Sequence, residues 1–147
     1  MIQRKQSLFL LAVALVALLL FFIPFISFTR ANEDFSLGLI EAISSISVTS
    51  HIYYPFILNV LVLILSFVTI FLFKNRVLQY KLANGLVLLN IFIMGLFFLL
   101  SFLNIPVDKS AFSFGAFLPV IGAAFAFLAA HFIKKDEQLV RSADRIR

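Results

Sequence analysis

His51 lies close in sequence to Glu41, Ser47, Thr49 and Ser50. A base, an acid and several hydroxyls are therefore at hand for acyl transfer, in which an imidazole takes the proton of an attacking hydroxyl. No nucleophile motif surrounds them, and the plainer reading is an interfacial side chain beside Tyr53 and Tyr54, whose rings suit a headgroup zone. The other histidine, His131, is followed closely by Lys134 and Lys135. The apolar stretches between the two histidines put them on opposite sides of a layer ~30 Å thick, so they share neither a metal nor a proton relay. The chain has no cysteine, hence no thiolate nucleophile, disulfide or cysteine metal cluster. Gly-rich phosphate loops, nucleic-acid stripes and metal-ligand spacings are absent from the sequence as well. The expectation is a protein that is not an enzyme, with no catalytic residue, no cofactor, no metal and no nucleic-acid partner.

Asn59, Ser66, Asn84 and Asn90 are the polar side chains set most deeply in the apolar stretches. Ser66 and Asn90 fall about 4 Å from the centres of their stretches toward the same side, and Asn59 about 6 Å toward the other. Such residues form either a polar binding site or interhelical contacts worth ~0.6 kcal/mol per bond. The second reading makes Ser66, Asn90 and Asn59 interhelical contacts, with Ser66 and Asn90 able to meet. Gly122, Ala126 and Ala130 recur every four residues, a spacing that lets two backbones approach and marks a helix-packing face.

The elements that must position these residues follow from composition. Hydrophobic residues make up 63 % of the 147 positions, charged ones 13 %, and there are 20 Phe; the mean hydropathy is +1.10. These values are far from soluble usage and define an integral membrane protein. Four uncharged stretches are long enough to cross a bilayer: residues 8–28, 53–73, 82–103 and 114–133. A cleavable signal peptide is the alternative for the first, but its apolar region would be shorter. Pro55 suits the first turn of span two, where its missing N–H has no partner to lose. Pro119 requires either a kinked span four that begins near Ser113 or a start at Pro119; the second leaves about 22 Å, too short, so the kinked helix is preferred. Residues 36–47, between spans one and two, read as a weak helix or a short strand pair.

Ten of the 12 Lys and Arg precede span one, join spans two and three, or follow span four; only Arg30 and Lys109 lie on the other side. With the acids included, the formal charges are +7 and −2. The positive-inside bias predicts both termini in the cytoplasm of a multi-pass inner-membrane protein. Beyond span four, residues 134–147 form a cytoplasmic tail that is expected to continue or closely follow that span near the inner membrane surface, and in it Leu139, Val140, Ala143 and Ile146 recur at helical steps. An amphipathic helix is expected there, with Lys134, Lys135, Glu137, Arg141, Arg145 and Arg147 as docking residues for anionic lipid or a protein. The acids Asp136, Glu137 and Asp144 oppose pure lipid adhesion and suit a protein partner, which can pair both signs.

The segments MIQR (Met1 to Arg4), FKNRVLQYKL (Phe73 to Leu82), FSFGAFLP (Phe112 to Pro119) and IKKDEQLVRSADRIR (Ile133 to Arg147) resemble a family of small four-helix membrane proteins from Bacteroidetes, a domain of unknown function. The likeness runs from end to end. It implies a four-span bundle in the cytoplasmic membrane and carries over no catalytic residue. The combined expectation is an all-α, four-span transmembrane bundle (residues 1–133) with a helical cytoplasmic tail (residues 134–147). Its expected role is that of a structural or accessory subunit docking a protein or anionic lipid. A small oligomeric transporter or channel is the second reading, and an enzyme with a site on the outer loop the third. The sequence is silent on oligomeric state.

Overall fold

A computed structural model of the chain describes residues 5–30, 33–39, 53–73, 75–104 and 109–144. Its elements are α1 (Lys5–Phe22), β1 (Ile26–Arg30), β2 (Glu33–Leu37), α2 (Tyr53–Phe71), α3 (Arg76–Asn104), β3 (Lys109–Phe112), a 3-10 turn (Phe114–Phe117) and α4 (Leu118–Asp144). All four helices are long and apolar enough to cross a membrane. The fold is an all-α, four-span bundle, with one small sheet added at an end.

Leu, Ala and Val dominate α1, and nothing in it interrupts helical hydrogen bonding until Pro24. Ile23 N–H still donates to the Leu19 carbonyl at 3.1 Å. Pro24 has no N–H to continue the ladder, and its ring pushes the preceding residue out of helical conformation. The helix therefore ends at Phe22 rather than at the expected Phe28. Ile26 to Arg30 become the central strand of an antiparallel sheet of order β2-β1-β3, with Phe28 opposite Phe35 on one side and Ser110 on the other. Of the run 36–47, Ser36 and Leu37 belong to β2, in keeping with the strand alternative; residues 40–47 lie outside the described residues.

Asn75 sets the start of α3. Its Oδ1 accepts the Leu78 N–H at 3.2 Å, the geometry of a side chain capping the first helical turn. The helix begins at Arg76, before the expected Leu82, so that Arg76 and Lys81 lie within it rather than in a loop. At the fourth span both proline alternatives are partly realised. Ser113 is extended and the 3-10 turn starts at Phe114. Leu118 N–H donates to the Gly115 carbonyl, and Pro119 falls in the first α-helical turn, where it has no ladder bond to break. The helix then runs unbroken to Asp144, so the segment after Ile133 continues span four, the first of the two expected arrangements.

Consecutive helices pack on one another, and α4 closes the ring against α1. The contacts fix antiparallel registers. Phe21 meets Phe56 edge to face, Phe9 stacks on Phe132, and Phe25 stacks on Phe97 with ring centroids 4.2 Å apart. The core is Leu10, Val13, Val62, Leu86, Ile93, Phe97 and Ala126, with a smaller cluster of Ala83, Ala130 and Ile133 at the end away from the sheet. On the outside, Phe22, Phe71, Leu88 and Phe114 are among many exposed apolar side chains, as expected of a surface solvated by lipid tails.

The sheet end is fastened by an approach that only glycine permits. Gly115 N–H donates to the Pro24 carbonyl at 3.1 Å, and a Cβ built on Gly115 would stand 2.4 Å from that oxygen. The obstacle is backbone that β1 and β3 hold in place. Gly115→Ala should lower stability by about 1 to 3 kcal/mol, read as an earlier unfolding midpoint in mixed micelles. An unchanged midpoint would show that this contact does not hold the sheet to the bundle.

Candidate functional site

Among the described residues six polar side chains are buried: Gln6, Asn59, Ser66, Thr69, Gln79 and Asn90. All lie on the core-facing seams of α1, α2 and α3. Asn59 Nδ2–H donates to the Ala17 carbonyl of α1 at 2.9 Å, an interhelical bond of the kind its depth suggested. Ser66 and Asn90 differ from expectation. The Ser66 hydroxyl donates to the Val62 carbonyl in its own helix, and Asn90 Nδ2–H donates to the Leu86 carbonyl at 2.8 Å. A carbonyl one turn back is always within reach of these short side chains. Neither donor therefore joins the two helices.

Asn90 is instead turned toward α4. A Cβ on Gly122 would lie 2.6 Å from Asn90 Oδ1 and 3.5 Å from a methyl carbon of Val16. The small-residue face of α4 thus fits between α1 and α3, and its further members Ala126 and Ala130 are buried as well.

The sequence reading did not single out Gln6, Thr69 or Gln79. Gln79 is fully buried; its Nε2–H donates to the Thr69 carbonyl at 3.0 Å, pinning the α2–α3 hairpin. Its Oε1 is a buried side-chain oxygen with no hydrogen-bond partner among the described residues, an arrangement that typically costs about 1 to 3 kcal/mol. Residues 79, 83, 86, 90 and 93 follow one helical stripe. That stripe would have revealed Gln79 had α3 been started at its Asn75 cap.

At the end away from the sheet, α4 outruns the buried core, whose last member on that helix is Ile133. Arg76, the first residue of α3, braces this extension: its Nη1–H donates to the Asp136 carbonyl at 3.0 Å. Lys134 and Lys135 are exposed, while Asp136 and Glu137 are half-buried. His131 is exposed, with its ring edge-on to Phe132. His131, Lys134, Lys135 and Gln138 line an open recess of about 390 Å³. Arg141 lies within α4, whereas Arg145, Arg147 and His51 lie outside the described residues. Among the described residues no three His, Cys, Asp or Glu side chains gather as a metal site would require.

Four apolar helices closed into a ring around a seam of buried amides and hydroxyls define a multi-pass membrane protein of the helical-bundle class. The chain belongs to the family described as Domain of unknown function (DUF4293), whose model matches residues 2–146. No curated protein and no solved structure matches it.

The Asn90 and Gly122 contact generates a coupled prediction. Gly122→Ala should destabilise, Asn90→Ala should remove the amide that the new methyl strikes, and the double variant should lose less than the sum. A coupling of about 0.5 to 3 kcal/mol is expected for residues in contact, measured by unfolding in mixed micelles. Strict additivity would place the two residues out of contact.

Proposed function

We propose that the protein is a non-enzymatic accessory or structural subunit of the cytoplasmic membrane, with both termini in the cytoplasm, that docks a protein partner on the α4 extension. One observation carries this reading. Leu139 and Val140 are 60 % and 44 % exposed on a helix that has already left the bundle core. A continuous helix places them about 9 to 10 Å past Ile133. A headgroup layer is about 5 to 8 Å deep, so lipid tails do not cover them. Lys, Asp, Glu and Arg surround the pair in sequence, and a protein surface can pair both signs. An origin in Bacteroidetes, implied by the resemblance, fits an inner-membrane location.

The buried polar seam supports the second reading, a small oligomeric transporter or channel. Against it, Asn59, Ser66, Thr69 and Asn90 spend donors on backbone carbonyls, as packing residues do.

Crosslinking in native membranes tests the docking. Leu139→Glu with Val140→Glu should abolish one specific crosslink to another protein while leaving membrane insertion unchanged. If every crosslink survives, the extension is not the docking surface. Crosslinks only between copies of this chain would replace the accessory role with self-association.

Orientation is tested separately, since the chain has no cysteine and single cysteines report without background. On intact cells, a membrane-impermeant thiol reagent should label a cysteine at position 36 and spare one at position 78. The reverse pattern would invert the proposed topology.

A further inference from the structure

We propose that the outward face of α4 binds an anionic phospholipid, its phosphate seated in the recess of His131, Lys134, Lys135 and Gln138. This inference rests on the membrane placement proposed above. The sequence sets Asp136 and Glu137 among the basic residues, which argued against lipid. In the folded chain the signs separate around the helix. Ile133, Ala130 and Ala126 mark the side of α4 that faces the core. Asp136 and Glu137 flank that side, both half-buried. His131, Lys134, Lys135 and Gln138 follow one another at three- and four-residue steps on the opposite face, all exposed. No acid lines the recess among the described residues.

The depth is right for a headgroup. The 3-10 turn and α4 up to Ile133 together rise about 32 Å, close to the ~30 Å of a hydrocarbon core. The two lysines thus emerge where phosphates begin. Toward the bilayer centre the same face continues with Phe127, Leu128, Ala124 and Val120, all exposed. A phospholipid matches both halves, its phosphate against cations and its acyl chains along the apolar stripe, whereas a free phosphate would use only the recess.

The chain has no Trp, so Phe127→Trp supplies a single reporter beneath the recess. The purified variant is placed in bilayers containing brominated phosphatidylglycerol or brominated phosphatidylcholine, and quenching gives the relative association of the two lipids. About fivefold preference for phosphatidylglycerol or more is expected, since each nearby basic residue contributes on that scale. Lys134→Gln with Lys135→Gln should bring the ratio to about one while quenching by brominated phosphatidylcholine stays unchanged, which shows the bundle intact. Leu88→Trp, on an exposed face of α3, should report a ratio near one throughout. Equal quenching by both lipids at position 127, or a preference that survives loss of both lysines, would overturn the proposal. Loss of the preference on adding inorganic phosphate at constant ionic strength would assign the recess to the free anion instead. No partner protein is present in these bilayers, so failure here leaves the docking on Leu139 and Val140 standing. Conversely, Leu139→Ser with Val140→Ser, which adds no charge beside Lys135, should not alter the lipid ratio.

Discussion

Inside hydrocarbon there is no water to satisfy a stray N–H or C=O, so every backbone polar group must find its partner within the protein. The break after α1 shows how this requirement shapes the rest. Pro24 ends the helix, and the chain turns into a strand. Beyond the break the backbone finds partners on the segment before α4: Gly115 N–H donates to the Pro24 carbonyl, Ser113 N–H donates to that of Phe25, and β1 gains ladders on both sides. Only β1 has both edges paired; β2 and β3 are the edge strands of the sheet, an arrangement that suits the rim of a membrane, where water can reach an open edge, and not its hydrocarbon interior. Because β3 leads directly into α4, satisfying the backbone after α1 also fixes where α4 begins. Register along α1 and α4 then follows down to Phe9 and Phe132.

The same requirement governs the seam. Five of the six buried polar side chains among the described residues either bond one turn back on their own helix or cross to a neighbour's carbonyl. Ser66, Thr69 and Asn90 do the first; Asn59 and Gln79 do the second. The two crossing bonds meet α2 at Asn59 and at the Thr69 carbonyl, one tying it to α1 and the other to α3. Reach alone does not decide between them, since Asn90 and Asn59 are the same side chain with different outcomes; the neighbour that each position faces does.

Spans and class were readable because mean apolarity over some twenty residues is a strong signal that tertiary context seldom overrides. Their ends were not. Phe25 to Phe28 is as apolar as the helix before it, and apolarity alone cannot tell strand from helix in so short a run; Pro24 was the available clue. At α3 the charges of Arg76 and Lys81 suggested a loop, while Asn75 as a cap pointed the other way. The Ser66 and Asn90 pairing failed for a different reason. Depth in the membrane can be read from sequence position, but the neighbour a given face meets is set by packing, and Asn90 meets Gly122 of α4. Gly122, Ala126 and Ala130 were legible as a face, though not as one wedged between α1 and α3.

The extension of α4 illustrates how one helix can carry two surfaces. Over three turns its core side must hold Ile133 and keep Asp136 beside Arg76, so the rotation of the helix about its axis is fixed before any partner arrives. That rotation turns His131, Lys134, Lys135 and Gln138 outward together. It also directs Val140 along the core side, seven residues or about two turns beyond Ile133, where no described residue of the bundle buries it. The Arg76 bond thus acts on both surfaces without belonging to either. It ties the start of α3 to the turn of α4 just after Ile133, between the basic face and the apolar pair Leu139 and Val140.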